Sequence, residues 1–450
     1  MLRMLPKNSY PPKEPYVTPV SRRYCIFTMI EAAVVTTKAA DRVKAGKKAL
    51  WAAFRIKDRK FPRWVQEADW SHCAAFDIRP SPCYVLNALK MNGFVLLPAA
   101  CAFQLILVRE RIIDMEINHR SSLFQEASAD EIREIFQKSL QESEIVDTKL
   151  MDGGMFNTTY FIIYGHDRKE AVLRLGPINR HRLMGFEQNL MAAEAYVYSV
   201  CQNIGIPCSR VLVCDTTRSI VNRDFMIVEY MPSVTMVNAE LSSEKSSALN
   251  RQLGQYLHRL HQVVGSSFGF VSRVQAGRRF AKWSDALIFE IEDITGRLEN
   301  LGGLSEAQAN AVRTWFYRSA ELLDEIKIPR LLHTDLWAGN VLLDQESLEI
   351  KAMIDSDRAV FGDPDFEFAA PWMENPDLQE GYGFTPLGPR DKSRAMRRLL
   401  YQAFYYALEA YVGIGEYNNM DLHRERKKQL LGALSTAVQL AGGSNQSAVR

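Results

Sequence analysis

Seven cysteines in 450 residues, at 25, 73, 83, 101, 201, 208 and 214, form no close C-x-x-C pair. The odd count and the spacing speak against a disulfide framework and a zinc site, and favour reduced thiols in a cytoplasmic setting. A long hydrophobic run is missing too. The longest, "FVLLPAACAFQLILV" at Phe94–Val108, is short for a membrane span and carries Pro98 and Gln104. The N-terminal "MLRMLPKNSYPPKEP" lacks the apolar core that a secretory signal needs. Excess charge of one sign is absent overall, with 55 Lys+Arg against 53 Asp+Glu, and no internal repeat or low-complexity tract is present. What remains is an ordinary globular composition, 47% hydrophobic and 24% charged, in a chain long enough for one to three domains.

The near-zero balance hides an asymmetry. Residues 1–114 hold 19 Lys+Arg and 9 Asp+Glu, whereas the remainder holds 36 and 44. Early prolines, basic residues through Arg42–Arg63 and aromatics without a period give that first stretch no clear pattern. It is expected to be a disordered or loosely packed extension, with a small helical domain as the alternative. Its basic charge alone invites a nucleic-acid reading, but no binding motif accompanies it, and no nucleic-acid partner is expected. Order begins near Met115. Ser128-Ala-Asp-Glu131 reads as a capping box, followed by Ile132, Ile135, Phe136 and Leu140 at helical spacing.

From 145 to 231 the pattern is rich in strands: "EIVDTKL", "TTYFIIYG" and "EAVLRLG", then a helix over about 185–203, then "SRVLVCD" and "FMIVEYM". From 242 the chain turns helical, with Leu249, Leu253, Tyr256, Leu257, Leu260 and Val264 on one stripe. Short apolar segments at 331–334, 341–344 and 350–354 interrupt it. The expected architecture is α+β: a five-stranded antiparallel sheet lobe over 115–232, then a mainly helical lobe over 233–450.

The chemistry concentrates in "LLHTDLWAGNVLLD", residues 331–344. His333, Asp335 and Asn340 stand in the pattern H-x-D-x-x-x-x-N. In phosphoryl transfer such an Asp orients the acceptor hydroxyl and takes its proton, and the Asn binds a metal. Asp355 follows at the end of the apolar "EIKAMID", where a carboxylate suits Mg²⁺, an ion that prefers oxygen ligands. Upstream, Gly153-Gly154 between two strands permits close backbone approach to phosphate, and Asn157 can tie that turn. His258 and His261 lie three apart on a helix with no third ligand type nearby, and read as ordinary helix residues.

On "HTDLWAGNVLLD" and "MIDSDRAVFGDPDFEFA", the stretch from about 145 to 440 resembles the aminoglycoside phosphotransferase and choline kinase superfamily. These are small-molecule kinases with a protein-kinase-like two-lobe fold. "HTDLWAGN" is also similar to the fructosamine kinase form of the loop. The resemblance implies ATP and Mg²⁺, with Asp335 as catalytic base and Asn340 and Asp355 as metal ligands. It places Arg174, in "AVLRLG", where such kinases carry a phosphate-binding cation. That cation is usually Lys; Arg keeps the charge but not the geometry. Glu194 on the following helix becomes its expected ion-pair partner. "FMIVEYM" resembles the hinge between lobes, where backbone around Glu229–Met231 would meet adenine. Asp363, in Gly362-Asp363-Pro364, is expected to brace the catalytic loop, with Glu367 at a helix start.

Asp355 runs straight into a helix, leaving no room for the activation segment of a protein kinase. A small-molecule hydroxyl acceptor is therefore expected. Its pocket would form from Trp337, Trp372, Glu374, Asp377 and the tyrosines at 382, 401, 405 and 406. The acidic residues of "PWMENPDLQEGYG" suit a cationic or polyhydroxylated acceptor such as an amino sugar. The competing class is a catalytically silent kinase-like binding module, which Arg174 favours and the intact Asp335, Asn340 and Asp355 oppose.

Overall fold

A computed structural model describes residues 121–151, 156–388 and 391–441. The basic stretch 1–114, the apolar run at 94–108 and the Gly153-Gly154 pair lie outside the described residues. Helix α1 (Ala129–Leu140) opens on the expected capping box, with Ser128 Oγ accepting from Glu131 N–H and the Glu131 carboxylate accepting from Ser128 N–H. A sheet follows from β1 (Ile145–Leu150), β2 (Thr158–Tyr164), β3 (Lys169–Leu175), β4 (Val211–Asp215) and β5 (Phe225–Glu229). Its order is β1-β2-β3-β5-β4, with every pairing antiparallel. The expected five-stranded lobe is present.

The period of two in these strands decides what each face does. Tyr160, Ile162, Tyr164, Ala171, Leu173 and Leu175 turn to one side and bury Ile132, Ile135 and Phe136 of α1. Val172, Met226 and Val228 turn to the other and meet Met191 and Ala195 of helix α2 (Leu190–Asn203). Arg174 is in phase with Val172, so it too points toward α2. A 3₁₀ turn, Gly185–Asn189, precedes α2 and accounts for the start of the helix expected over 185–203.

The second lobe is built on helices α3 (Ser243–Leu260), α4 (Trp283–Asn300) and α5 (Glu306–Arg318), then α6 (Pro364–Glu367), α7 (Pro376–Tyr382), α8 (Lys392–Tyr411) and α9 (Met420–Ala441). Leu249, Leu253, Leu257 and Leu260 of α3 are buried as the stripe requires; Val264 lies past the helix end and is exposed. Two small three-stranded sheets carry the loop chemistry. β6 (Val234–Thr235), β9 (Val341–Leu343) and β10 (Ile350–Met353) form one, in the order β10-β9-β6, and β7 (Gly269–Phe270), β8 (Arg330–Leu332) and β11 (Val360–Gly362) form the other, in the order β7-β11-β8. The residues between β8 and β9, and those between β10 and β11, are the two functional stretches read from the sequence. Among the described residues no helix is long and apolar enough to cross a membrane.

One tie was not legible beforehand. Arg223 is buried and donates to the carbonyls of Gly176, Gln125 and Leu175 and to Thr158 Oγ1, at 2.7, 2.8, 3.3 and 2.9 Å. It thereby fastens the segment before α1 to the sheet. Replacing Arg223 with Ala leaves several buried acceptors without donors, each costing about 1–3 kcal/mol. We expect a loss of about 2–4 kcal/mol in urea unfolding of the Arg223→Ala protein. A loss below about 1 kcal/mol would show that water replaces the guanidinium.

Candidate active site

Arg174, Glu194 and Asp355 come together from β3, α2 and the end of β10. The Arg174 guanidinium donates from Nη1 to both Glu194 oxygens at 2.5 Å and from Nη2 to Asp355 Oδ1 at 2.7 Å. Glu194 is fully buried, whereas the Asp355 side chain keeps 37% of its surface. Tyr198, one turn after Glu194 on α2, donates its hydroxyl to Glu194, and Asp355 N–H donates to Glu194 and to Tyr198 Oη. Burial works against the Arg174 charge, but Glu194 and then Asp355 outweigh it and hold the guanidinium ionised. Glu187, the other acidic residue near the start of α2, is occupied elsewhere: it accepts from Arg358 at 2.7 Å.

The catalytic-loop candidates sit beside this triad. Asn340 Nδ2 donates to the Asp335 carbonyl at 2.8 Å and to Asp335 Oδ2 at 3.3 Å. His333 is buried; its Nδ1 accepts from Asp335 N–H, and its Nε2 faces the Ile354 carbonyl at 3.2 Å. It joins the loop to the residue before Asp355. Burial, and then the charge of Asp355, push the Asp335 carboxyl up to about 8. A carboxylate held near neutrality is suited to take a proton from a hydroxyl.

The brace of this loop is Glu367 and not Asp363, which corrects the sequence expectation. Glu367 is buried and accepts from the backbone N–H of His333 at 2.7 Å and of Thr334 at 2.9 and 3.0 Å. Asp363 instead caps α6 and accepts from Tyr401 at 2.8 Å. Asp363 is the N-cap of α6 and Glu367 its last residue, not at a helix start as expected, and position in the sequence could not tell which carboxylate reaches across. The brace holds an unfavourable backbone: Thr334 has φ +66°, uncommon for a β-branched residue, and Asp355 has φ +62°. His261 closes the back of this arrangement, its Nε2 3.5 Å from Glu367 and its Nδ1 2.9 Å from the Tyr382 hydroxyl.

The remaining sequence candidates are spread around these groups. Asn157 is buried at the entry to β2. Glu229 closes β5 with an exposed side chain 3.5 Å from Arg210, and the Met231 carbonyl accepts from Ser233. Of the residues expected to surround an acceptor, Trp372 and Tyr405 line a cavity shared with Asp335. Tyr401 is committed to Asp363 and Trp283, while Asp377 is committed to Ser247 and Arg251. Tyr382 meets the rings of His258 and His261 edge to face. Arg358, which lines the same cavity, was not singled out from the sequence, where nothing but its place directly after Asp357 marks it.

The donor chemistry suits a small hard cation. Asn340 spends its amide nitrogen on Asp335, which leaves its carbonyl oxygen as the atom available to a metal, and Asp355 is half-buried with one oxygen beyond the Arg174 contact. Glu194, Asp355 and Asp357 also bring carboxylate oxygens within 4.8 Å of one another.

A model of the phosphotransferase enzyme family matches residues 147–392, more than half of the chain. The chain belongs to the phosphotransferase enzyme family. No curated protein matches it. Among solved structures, a Thermobifida fusca protein assigned as a fructosamine-3-kinase superposes with TM-score 0.50 at 15% identity, covering 69% of this chain and 100% of that one. A thermostable mutant of aminoglycoside phosphotransferase APH(4)-Ia, solved as a ternary complex with AMP-PNP and hygromycin B, gives TM-score 0.49 at 16% identity over 70% of this chain and 100% of that one. The family is one of enzymes, and the two-lobe protein-kinase-like fold is shared at this low identity.

The triad makes a stability prediction. Arg174→Met leaves Glu194 buried without its counter-charge, which costs about 3–5 kcal/mol. Adding Glu194→Gln should return a substantial part of that loss in urea unfolding. A double variant as unstable as the single one would mean that packing, not charge, is what Arg174 supplies.

Proposed function

We propose that the protein transfers the γ-phosphoryl group of ATP to a hydroxyl of a small molecule. The observation that carries this reading is the pairing of Asp335 with Asn340, beside Asp355 held by Arg174. The acceptor oxygen attacks the γ-phosphorus and forms a P–O bond as the bond to the bridging oxygen of ADP breaks. The acceptor proton passes to Asp335, whose raised pKa suits it to that task. Asn340 fixes the direction of the Asp335 carboxylate, and Glu367 fixes the backbone beneath it. Asn340 and Asp355 would hold Mg²⁺, which neutralises phosphate charge when bound. Arg174 stands on the nucleotide side as the phosphate-facing cation, with Glu194 setting its position. Gly153, Gly154 and Asn157 would approach the phosphates, and backbone around Glu229 and Met231 the base. We take the sheet lobe to span 115–232 and the helical lobe 233–450, since the tie from Gln125 to Arg223 already belongs to the sheet.

A silent binding module is the second reading, and one contact favours it: Arg174 occupies an oxygen of Asp355 that a cation would otherwise share. Titration of ATP with and without Mg²⁺, beside ADP release, separates the two. Catalysis requires that Mg²⁺ tighten or activate the complex; equal ATP binding under both conditions, with no turnover, supports the module.

For Asp335→Asn we expect ATP–Mg²⁺ affinity to be retained and turnover to fall on the order of 10²- to 10⁴-fold. More than about half the parent rate would remove Asp335 from the role of base. Asp355→Asn and Asn340→Ala should instead raise the Mg²⁺ concentration needed for half-maximal rate. An unchanged Mg²⁺ titration in both would refute the metal assignment.

A further inference from the structure

Helix α2 ends in a reversal that sets two cysteines against each other. Gly205 has φ +69°, a backbone conformation that glycine adopts without strain. Its N–H donates to the Gln202 carbonyl at 3.3 Å, and Ile206 N–H donates to the Cys201 carbonyl at 2.9 Å. The chain therefore folds back over the last turn of the helix. Cys208 lies against that turn, its Sγ donating to the Tyr198 carbonyl at 3.4 Å and accepting from the Cys201 thiol.

The two thiols differ in access and in acidity. Cys201 is buried in the core, whereas Cys208 is half-buried. The hydrogen bond from Cys201 draws the Cys208 thiol below its ordinary value; the same bond, and then burial, push the Cys201 thiol up. Cys208 is the nucleophile of the pair, and Cys201 is in place to resolve it.

Both sides of this contact lead to the candidate active site. Cys201 follows Tyr198 by one turn and Glu194 by two on the same face of α2. Opposite, Met353 of β10 stands two residues before Asp355. It donates its N–H to the Pro207 carbonyl at 2.9 Å and forms a parallel bridge with Cys208.

We propose that Cys201 and Cys208 are a redox modification site, closed to a disulfide by a hydroperoxide and reopened by a dithiol, and that the disulfide ties α2 to the strand presenting Asp355. The Cys208 thiolate attacks a peroxide oxygen, and an S–O bond forms as the O–O bond breaks and hydroxide leaves. The Cys201 sulfur gives up its proton and attacks the Cys208 sulfur. An S–S bond forms, and the sulfenic oxygen departs as water. Two thiols lose two electrons, and one peroxide gains them.

The test treats the full chain with a small excess of hydrogen peroxide, then alkylates it and digests it with trypsin. Residues 183–210 form one tryptic peptide that holds Cys201 and Cys208 and no other cysteine. That peptide should be unalkylated and lighter by two hydrogens, and dithiothreitol should return it to its alkylated mass. The oxidised chain should also melt about 2–5 °C higher, because the link constrains the unfolded chain. Cys208→Ser should abolish both changes. Cys201→Ala should leave Cys208 as a sulfenic acid that dimedone captures. Full alkylation of both cysteines after peroxide, or oxidation of Cys208 without the link in the parent chain, overturns the site. A link that forms but leaves the melting temperature unchanged or lower overturns the tie between α2 and β10.

Discussion

One guanidinium holds the two halves of this enzyme in register. Arg174 reaches from the third strand of the sheet to a carboxylate on α2 and to a second carboxylate at the end of β10 in the other lobe. Its partner Glu194 is fully buried within the same lobe, so the contact that crosses to the other lobe is the one with Asp355. A lysine ammonium would serve as a point charge at such a position. The planar fork of arginine serves two carboxylates at once with separate nitrogens. The departure from the usual residue therefore carries a geometric meaning: this cation is a clamp between lobes.

A second constraint lies under the catalytic loop. Glu367 collects the N–H groups of His333 and Thr334 on one buried carboxylate, and Thr334 is held left-handed as a result. Asp335 follows directly, and its direction depends on that turn. The His333 ring links the same turn to Ile354, one residue before Asp355, so Asp335 and Asp355 share a scaffold of backbone contacts. Rigid support of this kind is what positioning a proton acceptor demands.

Local chemistry was legible in the sequence and cross-chain chemistry was not. The H-x-D-x-x-x-x-N spacing marks Asp335 and Asn340 because both lie on one short loop, and alternation along "TTYFIIY" and "EAVLRL" is enough to lay out the sheet and turn Arg174 toward α2. The choice of Glu367 over Asp363 as the brace was hidden, because two carboxylates four residues apart differ only in where the short helix between them aims. Arg223 and Arg358 were hidden for a related reason. Each is defined by backbone carbonyls or a carboxylate brought from distant segments, and a lone arginine in a polar stretch looks like any solvated one. The acidic residues of 371–383 show the same limit: Asp377 and Glu380 both pair with Arg251, and a partner on another helix is not visible in a sequence.

The clamp also sets an order of assembly. Arg174 lies 20 residues from Glu194 but 181 from Asp355. A growing or refolding chain can join the first pair early, within the sheet lobe and its helix. The second contact waits until β10 has been made and docked, since closing so long a loop must precede any reward from the contact it brings. Competence for chemistry is thus acquired at the end of folding, and a chain halted with only its sheet lobe formed holds a buried ion pair but no site.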